Sequence, residues 1–158
     1  MRALSIIALG AISACAPEAE LARYVVSVTE VDHCIRRGAQ PEACEEPEAV
    51  SDTIPVIIET IDEAEVVLYA ADPETGDERA FRGVREADEL TLTRIFTRVE
   101  EETDCRFRRQ ADLALTLDGD DLSGAERVVT EETAGCNELG LDTAERAEWS
   151  WRGERVTD

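Results

Sequence analysis

Apolar and polar residues alternate with a period of two along most of this chain, the pattern of strands buried on one face. The alternation predicts eight strands, at 24–31, 54–60, 65–70, 78–85, 89–99, 103–117, 122–132 and 148–156. β-Branched residues gather inside these stretches and turn formers between them. Asp118-Gly119-Asp120-Asp121, between Leu113-Ala114-Leu115-Thr116-Leu117 and Leu122, is a strong hairpin signal because glycine accepts a positive φ. Residues 72–77 combine a proline and a glycine in a longer hairpin loop. Two connections are long, 32–53 and 133–147, and Asp142-Thr143-Ala144-Glu145 in the second suits the start of a short helix. Eight strands with mostly short links predict an all-β antiparallel meander. Closing it into a barrel hides both sheet edges.

The central hairpin yields an expected register. With Glu101-Glu102 as a two-residue loop, Glu100 faces Thr103, Phe96 faces Phe107, Leu92 faces Ala111 and Leu90 faces Leu113. One face then forms an apolar stripe with Leu115 and Leu117, and the other carries Thr91, Thr93, Thr97, Arg106, Arg108, Gln110 and Asp112. The same register puts Arg94 opposite Arg109 on the apolar face, with Arg98 near Cys105. Opposed cations in a core are costly unless carboxylates meet them. Counting across the Asp118–Asp121 turn brings Glu126 and Glu132 onto that face. An internal ion-pair cluster of Arg94 and Arg109 with Glu126 or Glu132 is therefore expected, with a bound anion as the functional alternative. Trp149 and Trp151, two apart, share one strand face. Core packing is the expectation for them, and lining a ligand cavity with Phe96 and Phe107 is the alternative.

The N-terminus reads differently. Arg2 is followed by an apolar run from Leu4 to Ile12 and then by Ile12-Ser13-Ala14-Cys15, the layout of an export signal. Those last four residues resemble the lipobox of bacterial lipoproteins, and the resemblance covers the first 15 residues. It implies that residues 1–14 are removed, that Cys15 is acylated, and that residues 15–23 tether a single domain at 24–158. Ala16 after the cysteine, in place of aspartate, implies the outer membrane of a diderm bacterium. The membrane is then a partner through the lipid, and no later apolar run is long enough to span it.

Charge narrows the field further. The chain has 37 acidic and 16 basic residues, all of the latter arginine, for a net charge of -21. Such a surface repels nucleic acid and anionic headgroups, so no nucleic-acid partner is expected. Beyond Cys15 four cysteines remain, and in an exported chain they suggest two disulfides, with three connectivities open. The short loop favours Cys34–Cys44. The strand register places Cys105 opposite Ala134 and so favours Cys105–Cys136. A lone His33, with no CxxC pair, is too little for a zinc site. The Asp118–Asp121 turn lacks the spacing of a calcium loop, and there is neither a nucleophile elbow nor a phosphate-binding glycine loop. No enzyme activity, metal or cofactor is expected.

An exported, disulfide-linked meander of eight strands resembles the lipocalin and calycin barrels in architecture over about residues 24–156. Tyr24-Val25-Val26 stands where that family carries Gly-x-Trp. The expected function is a lipid-anchored, acidic envelope protein acting as a non-enzymatic binding or structural module. The alternative implied by the resemblance is a carrier with a small ligand inside the barrel.

Overall fold

The computed structural model describes residues 20–47, 51–73 and 75–157. The export signal and Cys15 lie outside the described residues. Among the described residues nine strands form one sheet: β1 (Glu20–Arg37), β2 (Ala43–Glu45), β3 (Ser51–Thr60), β4 (Glu65–Ala71), β5 (Glu78–Glu86), β6 (Glu89–Glu100), β7 (Cys105–Asp118), β8 (Asp121–Glu132) and β9 (Thr143–Arg155). Each pairs antiparallel with the next, except that β2 is a short flap on the far half of β1. The pairing of β1 with β9 closes the other eight strands into a barrel.

All eight expected strands are present, several with different ends. β1 begins inside the expected tether, at Glu20, and runs on to Arg37. β9 begins at Thr143, so Asp142–Glu145 start a strand and not a helix. A single 3-10 turn, Ala134–Cys136, precedes it, and the Asp142 carboxylate accepts the Ala134 N–H at 2.7 Å.

The closed half of the barrel is filled. Trp151, Phe81, Leu68, Leu90, Leu92, Leu113, Leu122, Val26 and Val56 are all fully buried there. Inward glycines make so small a barrel possible. A Cβ on Gly83 or Gly124 would overlap the carbonyl oxygen of Thr91 or Ala114 on the neighbouring strand, so only glycine lets those strands coil this tightly.

The other half opens. β4 stops at Ala71, and β5 pairs with β6 only up to Arg82–Thr93. Beyond Thr93, β6 parts from β5, whose residues 78–81 pair with β4 alone, while β6, β7, β8, β9 and β1 run on together and the tube becomes a trough. A bulge at Val31 of β1 sits where the change occurs. It reverses the phase of the strand, so that Glu30 and His33 both face inward.

Candidate functional site

The expected central register is corrected by two residues. Glu100 pairs with Cys105 across a four-residue turn, so Phe96 faces Arg109, Arg98 faces Phe107, Arg94 faces Ala111 and Leu92 faces Leu113. A two-residue turn of the favoured type needs positive φ at both central positions, which Glu101-Glu102 supplies poorly. The longer turn instead places Asp104 at φ 57°, and the Thr103 hydroxyl donates to the Glu100 carboxylate and accepts the Cys105 N–H. A shift of two keeps the parity, so both faces are as expected while Arg94 and Arg109 are no longer opposed. The register across the Asp118–Asp121 turn is as counted, and it leads Phe107 to Glu132 and Leu113 to Glu126.

Glu126 is buried, as its parity requires, but its ion-pair partner comes from β5. Arg79 Nη1 donates to Glu126 Oε1 at 2.6 Å, and Trp151 Nε1 donates to Oε2 at 3.2 Å. The guanidinium lies 5.2 Å from the ring centre of Phe81 and 6.0 Å from that of Trp151, with Asp72 at 3.6 Å from Arg79 Nε. Burial pushes the Glu126 carboxyl above its ordinary range, while Arg79, the Trp151 N–H and the charge of Arg109 pull the other way. The sequence contained the signal: Arg79 has the parity of Phe81, so an arginine falls in the inward phase of β5.

Arg94, Arg109, Phe96, Phe107 and Glu132 all face the trough. Phe96 stacks edge-on against Phe107 at 5.9 Å yet stays 45% exposed. Trp149 and Trp151 are core residues. Beneath the trough, Glu30, Arg109, Val128, Thr130, Glu145, Ala147 and Trp149 enclose about 50 Å³. A wider vestibule of about 230 Å³ follows, lined by Ile35, Arg37, Glu132, Asn137 and Leu139 among others. His33 Nε2 lies 2.7 Å from Glu145, and Nδ1 lies 3.6 Å from Glu30. The base of the trough thus sets His33 between two carboxylates.

Both disulfides form as expected, Cys34–Cys44 and Cys105–Cys136. The first pins β2 to β1, and the second ties the start of β7 to the turn before β9. On the outer face near the first, Arg146 contacts Asp32 at 2.8 Å and Glu148 at 3.1 Å. The one group of possible metal ligands among the described residues, Asp32, Cys34 and Cys44, has both thiols consumed in that disulfide.

A hollow of about 630 Å³ lies on the outer wall. Its floor is a row of directly paired residues across five strands, Val84, Thr91, Ala114, Ala125 and Ser150. Small side chains there, over the inward dip at Gly83 and Gly124, leave the wall concave. No known family model matches the chain, and no curated protein is similar to it in sequence.

Proposed function

We propose that the chain is a lipid-anchored envelope protein of a bacterium, held by an acylated Cys15, whose acidic barrel serves as a non-enzymatic binding module. One observation carries the choice between this reading and a carrier. The barrel interior is packed by Trp151, Phe81 and their neighbours, leaving about 50 Å³ under Trp149 and hollows of about 230 and 210 Å³ at its two mouths. Ligand sites for small molecules usually offer 300–1,000 Å³. Contacts are therefore made at surfaces, the polar trough or the concave outer wall, and not inside.

Replacing Cys15 with Ser is expected to abolish lipid labelling and release the protein from membranes. Labelling that persists would remove the anchor. The carrier alternative is tested by titrating the purified protein with fatty acids and hydrophobic dyes. Stoichiometric uptake that quenches buried Trp151 would replace the surface-binding reading with interior carriage.

A further inference from the structure

Where the tube opens, β6 loses its neighbour. Residues 94–100 pair with β7 on one side, and among the described residues no strand pairs with their other side. Ile95, Phe96 and Val99 on this stretch are exposed, at 57%, 45% and 52%. An unprotected, partly apolar edge is a template for adding a strand.

The hydrogen-bond phase shows which groups are free. Leu117 N–H donates to the Asp88 carbonyl at 2.8 Å, just outside the β6–β7 ladder. Hydrogen-bonded pairs recur at every second residue of an antiparallel ladder, so the even-numbered residues of β6 are bonded to β7. The N–H and C=O groups of Ile95, Thr97 and Val99 then point to the open edge, with their side chains on the outer face.

We propose that this edge pairs with the same edge of a second copy, antiparallel about a two-fold axis through Thr97. In that register Arg94 faces Glu100, Ile95 faces Val99, Phe96 faces Arg98 and Thr97 faces itself, each pair occurring twice except the last. Opposite charges, apolar groups, and a cation with an aromatic ring are matched throughout. Sliding by one pair in either direction sets Arg94 against Arg98 or Arg98 against its own copy, which is repulsive. The self-paired edge makes six backbone hydrogen bonds, through Ile95, Thr97 and Val99 of each copy. Opposing it is the net charge of -21 on each chain, so association strengthens as salt shortens the Debye length from about 10 Å at 0.1 M to about 3 Å at 1 M.

Sedimentation equilibrium of the full chain in detergent, at low and high salt, tests the pairing. A dimer that tightens with salt is expected, and a monomer at millimolar concentration in high salt would overturn it. Thr97→Pro deletes one edge-facing N–H per copy without touching the β6–β7 ladder, and should weaken the dimer at least about tenfold. Glu100→Arg should weaken it comparably, and adding Arg94→Glu should restore it, because the swapped pair is again opposite in sign. Failure of that rescue would overturn the register. Thr97→Cys should cross-link to itself under oxidation, since directly bonded partners lie about 5.5 Å apart at Cα, within disulfide range. A dimer of that variant in which the peptides spanning position 97 never link would also overturn the proposal.

Discussion

Arg79 and Glu126 form a charge pair inside the packed half of the barrel, 3% and 1% exposed. Two desolvated charges repay their burial only while both are present, because removing one strands the other. Arg79→Leu is therefore expected to destabilise the fold by about 3–5 kcal/mol in chemical denaturation. The double change to leucine at both positions should recover much of that loss, since no buried charge remains. Equal losses in the single and double variants would show that the pair contributes through packing alone. Glu126 also has a pH signature. Its carboxyl takes up a proton more readily in the fold than in the unfolded chain, so its contribution is fully present below the ordinary value of 4.5. The contribution is lost as pH rises through the raised folded value. The stability of the wild type measured against Glu126→Gln should fall through that window and then level off. A difference that rises with pH would contradict the burial argument. At this scale the sequence placed Glu126 and the tryptophans inward, since parity alone decides that. It did not pair Glu126 with Arg79, because β5 reaches β8 only through the closure of the barrel.

Between elements, parity also explains which strands could be read. The faces of β6 and β7 survived an error of two in the turn, whereas an error of one would have inverted them. The far end of β1 was invisible because the Val31 bulge reverses the phase there, so the alternation stops although the strand continues. The start of β9 was missed for another reason. Its inward residues Thr143, Glu145 and Ala147 line the polar trough, where no apolar signal is needed. Glycine placement gives a sharp test of the coiling. A methyl at Gly124 would meet the Ala114 carbonyl and lie 2.9 Å from Leu115 Cα, backbone atoms that cannot step aside. Gly124→Ala is expected to cost about 1–3 kcal/mol or more as an overpacked site. Wild-type stability in this variant would mean the strands need no such approach. Cys105 and Cys136 enclose a longer loop than Cys34 and Cys44, with separations of 31 and 10. Chain entropy assigns them about 3.7 and about 2.7 kcal/mol. Replacing Cys34 and Cys44 with alanine should nonetheless cost the global fold less than this, because β2 is a three-residue flap at the sheet edge. Hydrogen exchange should then show fast exchange confined to residues 43–45 and their partners on β1.

Across the whole molecule, charge sets the terms on which the fold persists. Thirty-seven acidic side chains against 16 arginines leave a strong self-repulsion in the compact state, which the expanded chain relieves. The arginines that are buried or half-buried, such as Arg79 and Arg146, are committed to carboxylates within a few ångströms and leave the repulsion of the exterior in place. Screening therefore stabilises the native barrel more than it weakens its ion pairs, because the closest pair is sealed from solvent and the repulsion is not. The melting temperature is expected to rise as sodium chloride increases from low to physiological strength and beyond. Calcium offers the discriminating comparison. The acidic turn Asp118–Asp121 has exposed side chains at Asp118, Asp120 and Asp121, and Leu122 beside it is committed to the core. If these turns only add to the diffuse charge, calcium chloride and sodium chloride at matched ionic strength should raise the melting temperature to a similar degree. A saturable increase with calcium alone, removed by chelator and by Asp120→Asn, would show instead that the turn gathers a cation, and the repulsion would then be relieved at one place and not by the ionic atmosphere.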